Sequence, residues 1–140
     1  MAVQFFNEIV PMPAFDKSKV KQFITLLADK YGKKVGDVNY NFCSDERILE
    51  VNKQYLQHDY YTDIITFDYS EGNRIAGDIF VSVETVKSNA DEYGISFVEE
   101  LHRILFHGVL HLCGVNDQTS EERQHMIECE NSALKDFAAM

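Results

Sequence analysis

The chain has 140 residues and a formal charge of −10, with 13 Lys and Arg against 23 Asp and Glu. That length fits a single domain spanning 1–140 that can bury its own core, and the charge excludes a protein that grips nucleic acid with its whole surface, because phosphate binding draws on clustered cations. Charges interrupt every apolar stretch and the first eight residues lack a basic start and apolar run, so neither a membrane span nor a secretory leader is expected; Cys43, Cys113 and Cys129 fit neither a zinc knuckle nor a CxxC pair, which points to reduced thiols and a cytoplasmic protein.

Val3 to Phe6 predicts a first strand. Asp16 then caps a helix whose apolar positions Val20, Phe23, Ile24, Leu26 and Leu27 recur at helical spacing before Gly32. Val38, Tyr40 and Phe42 alternate with Asn39 and Asn41, the period of a half-buried strand, and Ser44 caps a helix running to about Leu56. Ile64 to Tyr69 and Ile75 to Val83 are β-rich and separated by Ser70, Glu71, Gly72 and Asn73, which predicts a hairpin. A helix from about Glu84 to Tyr93 ends at Gly94, a capping box of Ser96 and Glu99 opens the next, and Thr119 with Glu122 opens a last helix to about Phe137. The order β, α, β, α, β, β, α, α, α implies an α+β fold: a mixed sheet of about four strands packed with helices, without internal repeats.

Chemistry concentrates in the stretch from His107 to Asp117, in the C-terminal half. Residues four apart on a helix are neighbours on one face, so the imidazoles of His107 and His111 can converge on one ion. Gly114 can end the helix in a left-handed turn that swings Asp117 back toward that ion. Three protein ligands leave a coordination position open for water and substrate, the arrangement of catalytic zinc. The offsets match the HExxHxxGxxH frame of metzincin proteases, except that Gly108 replaces the Glu that activates water and Asp117 replaces the third His. Gly108 costs its helix about 1 kcal/mol relative to Ala, a disadvantage that makes sense where a ligand or another backbone comes close. The competing reading is that both histidines border the core while Asp117 caps the following turn.

The same residues resemble the YbeY family signature HGxLHLxGYDH, through His107, Gly108, Leu110, His111, Leu112 and Gly114. Upstream, YLQHDYYTDIITF from Tyr55 to Phe67 is similar to the family's YRxKDxPTDVLSF, and Gly77, Asp78, Ile79 and Ser82 are similar to its GDIxIS. Met126 and Glu130 fit the family's MxxxE pattern in the last helix. The resemblance implies a metal-dependent endoribonuclease of rRNA maturation and ribosome quality control. It also implies one divalent metal ion, Zn2+, and partners among rRNA, the small ribosomal subunit and other ribosome-assembly proteins, with no membrane or DNA. This sequence departs from the signature at Asp117 for His, Asn116 for Asp, Val115 for Tyr and Leu56 for Arg. A carboxylate in place of imidazole keeps a zinc-competent ligand while lowering the charge of the site and favouring a harder metal. The missing Arg removes a charge that could hold a phosphate, for which His58, Lys53 or Arg103 could substitute.

Around this motif, Arg103, His58 and Asp63 are candidate helpers to a metal-activated water. Arg103 lies one turn before His107 and either leans toward a phosphate or pairs with Glu99. Thr62 and Asp63 open a strand, where they either shape the cleft or bond to backbone. Asp78, inside an apolar strand, needs a partner. His102 and His125 read as surface or packing residues, and Phe97, Leu101, Ile104 and Leu105 as core. Two other functions compete with the nuclease: a ribosome-assembly or RNA-binding factor that the metal only stabilises, and a metallopeptidase-like hydrolase.

Overall fold

The computed structural model describes residues 2–56 and 63–140; His58, Thr62 and the side chain of Leu56 lie outside the described residues. In chain order the elements are β1 (Val3–Asn7), α1 (Lys17–Lys30), β2 (Lys34–Cys43), α2 (Asp45–Val51), a π-helical turn (Asn52–Leu56), β3 (Ile64–Asp68), β4 (Arg74–Ser82), α3 (Val83–Tyr93), α4 (Phe97–Leu112) and α5 (Ser120–Ala138). The strands form one sheet in the order β1-β2-β4-β3. β1, β2 and β4 run parallel and β3 returns antiparallel to β4 through the expected hairpin. Parallel neighbours need a crossover, which α1 supplies between β1 and β2. The fold is therefore α+β with a four-stranded mixed sheet, as the element order implies.

The period of two in β2 decides which face carries the main core. Val38, Tyr40 and Phe42 are fully buried and join Ile75, Ile79 and Val81 of β4 against Leu101, Leu105 and Val109 of α4. Each such side chain contributes about 1.5–3 kcal/mol by leaving water. The buried Tyr40 hydroxyl donates to the Leu105 carbonyl at 2.6 Å, tying α4 to the sheet while satisfying the one polar atom that the ring brings inside. The other face carries a smaller cluster of Cys43, Ile48, Val51 and Ile65 with Phe67 and Phe80.

A Cβ on Gly108 would stand 3.0 Å from Ile79 Cδ1 and 3.3 Å from Ile64 Cδ1. The missing side chain thus serves the close approach of α4 to apolar side chains of the sheet, and not to a ligand or another backbone. Other expectations also need correction. Leu26 is 56% exposed although it shares the apolar spacing of α1. The helix capped by Ser44 keeps α geometry only to Val51 before widening into the π turn. At Ser96 one arm of the capping box forms: its side chain accepts from the Glu99 N–H, but the Glu99 carboxylate meets the Ser96 hydroxyl at 3.4 Å. Thr119 and Glu122 make both arms.

Candidate metal centre

Three elements converge on His107. Within α4 it is followed one turn later by His111, and the helix then closes on the carbonyls behind it, with Gly114 N–H donating to His111 O and Val115 N–H to Leu110 O, both at 3.0 Å. Gly114 takes a φ of +97°, a conformation that side chains disfavour, and the buried Val115 pins the chain just beyond the bend. The loop thereby returns Asp117 to within 3.5 Å of His107, carboxylate Oδ2 to ring Nε2. From the other side α5 brings Glu130, whose Oε2 lies 2.6 Å from His107 Nδ1.

Glu130 is itself held. Its Oε1 accepts from Arg103 Nη1 at 2.8 Å, while Arg103 Nη2 donates to Asn131 Oδ1 at 2.7 Å. Arg103 is therefore paired across the α4–α5 interface with Glu130 rather than along its own helix with Glu99, because a residue nearly buried beside it presents a carboxylate that water cannot screen. Burial works against a charged His107 ring, but the hydrogen bond and charge of Glu130, joined by the charges of Asp117 and Asp63, raise its pKa above the ordinary imidazole value. A carboxylate on Nδ1 favours a proton there, so that once the ring is neutral the lone pair of Nε2 faces Asp117.

This donor set fits a divalent cation: an oriented neutral imidazole nitrogen, a facing carboxylate and a second imidazole one turn on. The structure brings His107 and Asp117 together but does not draw His111 into a preformed trio. Among the described residues no three His, Cys, Asp or Glu side chains are grouped closely enough to hold an ion.

Beside His107 opens a cavity of about 520 Å3 lined by Asp63, Asn89, Glu100, Arg103 and Glu130 among others. Asp63, a candidate helper from the sequence, shares this wall with His107, and Asn89 Nδ2 reaches Asp63 Oδ2 at 3.5 Å. Glu100 is 2% exposed, and its Oε1 finds no hydrogen-bond partner among the described residues. Burial pushes its carboxyl pKa up; Arg103 opposes this, while Asp63 and Glu130 add to it. Asp78 has its partner in Asn39, 3.2 Å away on the neighbouring strand, where the pleat alternation turns both side chains away from α4; it anchors the sheet outside the His107 site. His102 packs on Phe106 and Phe137, and His125 meets Cys129 at 3.5 Å. The three cysteines are free.

Two residues of the site went unassigned in the sequence. Glu130 was visible only as part of a helical spacing shared with Met126, with nothing local to aim it at His107. Glu100 carried a clearer signal, a lone acid at helical spacing among Phe97, Leu101 and Ile104 on the stripe that faces the core.

The sequence model of the family Endoribonuclease YbeY matches residues 7–138. A protein of Parabacteroides distasonis named Endoribonuclease YbeY is 57% identical, over 96% of this chain and 94% of its own length. One of the same name from Bacteroides thetaiotaomicron is 54% identical, over 96% and 98%. The solution structure of a Thermotoga maritima protein superposes with a TM-score of 0.62 at 28% identity, covering 96% of this chain and 88% of that one. With matches of this extent the nuclease reading stands over the cleavage-free assembly factor and the peptidase, and the chain belongs to the Endoribonuclease YbeY family.

Proposed function

We propose that this protein is a single-domain, metal-dependent endoribonuclease that trims rRNA of the small ribosomal subunit in the cytoplasm, with one Zn2+ held by His107, His111 and Asp117. The observation that carries the metal assignment is the division of labour on one ring: Glu130 occupies Nδ1 of His107, and Nε2 faces Asp117 across 3.5 Å. When bound, a divalent ion supplies Lewis acidity to a phosphoryl oxygen and an acidified water.

The chain's own residues do the remaining work. Glu130 fixes the tautomer and the plane of the His107 ring, and Arg103 fixes Glu130. Arg103 is thus a positioning residue, and its guanidinium is already committed to Glu130 and Asn131. Asp63, on the wall shared with His107, is the carboxylate placed to receive a proton from an attacking water. The apolar part of that wall, Ile64, Ile104 and Ile127, limits water around the reacting group. No helix of the described residues is long and apolar enough to cross a membrane, and the free thiols suit a reducing compartment.

Elemental analysis of unchelated protein, paired with cleavage of rRNA fragments, tests the reading. Stoichiometric zinc and cleavage that His111→Ala abolishes support it. Intact rRNA with metal-loaded, nuclease-free protein, unaffected by His111→Ala, rejects it.

A further inference from the structure

An acidic protein that acts on RNA must gather its cations somewhere, and 6 of the 13 Lys and Arg residues fall between positions 17 and 34, on α1 and at the start of β2. Three of the seven cations elsewhere are engaged: Arg47 with Glu8 and Glu50, Arg103 with Glu130, Arg123 with Gln118 and Ser120. Within the lysine-rich segment Lys30 pairs with Asp136, and Lys17 and Lys19 lie over the rings of Phe15 and Phe137. Lys21, Lys33 and Lys34 differ. They surround a groove of about 550 Å3 beside β1, the edge strand, together with Thr25, the exposed Leu26 and a single carboxylate, Asp29. None of the three stands in a salt bridge with a carboxylate among the described residues, and Lys21 only rests 5.7 Å from the Phe5 ring.

The groove lies at the end of the sheet toward which α4 runs. Lys34 pairs in register with Arg74 at the start of β4, the end of the sheet over which α4 finishes, since Leu112 lies against Gly77. Tyr31, two residues before Lys33, lines a neighbouring cavity with Cys113, Gly114, Val115 and Asn116 of the bend that leads to Asp117, and with Glu121 and Glu122 of α5. From three lysines outside any such salt bridge around one groove, whose Lys33 end is two residues from Tyr31 at the border of the metal-bearing loop, we propose that Lys21, Lys33 and Lys34 form a track for the phosphates of one RNA strand, holding the flank of the substrate whose scissile bond sits at His107 and Asp117. The inference rests on the nuclease reading above. Three lysines against one aspartate fit a polyanion, Thr25 and Leu26 give a ribose or base edge a surface to lie on, and the remaining surface of a chain at −10 repels the strand from other routes.

The test uses the full-length metal-loaded protein, a single-stranded rRNA fragment of about 20 nucleotides and a fragment too short to leave the metal centre. Binding is measured between 50 and 300 mM salt on a cleavage-resistant analogue of the longer fragment, with the metal-loaded wild-type protein as the background. Each phosphate contact on a single strand contributes about 0.7 to the slope of log affinity against log salt, so Lys21→Gln, Lys33→Gln and Lys34→Gln combined flatten that slope by about 2 and weaken binding at low salt at least tenfold. Cleavage of the short fragment by the otherwise wild-type triple variant is unchanged. A slope equal to the background's overturns the track; if the triple variant then loses a ribosomal or assembly protein instead, the strip is a protein-docking surface. Wild-type cleavage of either fragment keeps the nuclease reading standing in that event, so the two failures are separable.

Discussion

His107 and Asp117 face each other across one gap but are held in unlike ways. His107 sits in the middle of α4, with its ring flanked by Glu130, and Glu130 is secured in turn by Arg103. Asp117 lies on the loop between α4 and α5, its side chain 37% exposed, and the 3.5 Å approach to His107 is the one contact found for it among the described residues. The difference teaches that one wall of the centre is built by folding, whereas the other is closed by charge: a cation between Nε2 and Oδ2 would do for the loop what Glu130 already does for the ring.

Removing the built wall has the largest expected effect. Glu130→Ala leaves Arg103 without its carboxylate and frees the His107 ring to turn, costing about 2–3 kcal/mol of stability and 10–100-fold in metal affinity. Thermal unfolding and zinc titration measure the two separately. Unaltered zinc affinity would show that Glu130 is only a strut between helices. Next comes the loop wall. Asp117→Ala lowers zinc affinity and cleavage while leaving the unfolding free energy of chelated protein within about 0.5 kcal/mol of wild type, since the carboxylate braces little without the ion. Asp117→His, which restores an imidazole at this offset, recovers zinc binding; a chelated Asp117→Ala protein that melts far below wild type would contradict the asymmetry. A third effect is smaller and local. Addition of zinc slows amide exchange at Gly114–Gln118 more than in α4 or α5, and raises the melting temperature by mass action. Uniform protection across α4 would mean that the ion organises both walls alike.

The sequence made the first wall legible only in part. The i, i+4 histidines on an amphipathic helix and the turn glycine before Asp117 state their geometry locally, because helix periodicity converts spacing into direction. The whole element order was readable for the same reason: caps at Asp16, Ser44 and Thr119 and alternation in β2 are local signals, each fulfilled by a backbone hydrogen bond or a buried face. Glu130 was not readable as a partner of His107, since 23 residues and a bend separate them and only the packing of α5 on α4 brings them to 2.6 Å. Arg103 misled for a related reason. Its i−4 neighbour Glu99 is a sound local partner, but a carboxylate sheltered between two helices outcompetes one on an exposed first turn.

Glu100 offers the finest probe of the same wall, and its sign depends on pH. Its folded pKa lies above the unfolded value of about 4.3, chiefly through burial. A raised folded pKa means that the native state holds the proton more tightly, so the stability it contributes is fully present below about pH 4.3 and is lost as pH rises through the folded value. Above that folded value the wild-type protein carries an ionised carboxylate with Oε1 unpartnered among the described residues. Glu100→Gln keeps the shape and removes the charge, and it should stabilise the fold by about 1 kcal/mol at pH 7. That gain should shrink toward zero near pH 4, where the native carboxyl is neutral as well. Melting temperatures of the two proteins across pH 4–8 decide the matter: parallel curves would mean that the acid exerts no charge penalty where it sits, and that the cavity beside His107 is wetter than the burial of Glu100 implies.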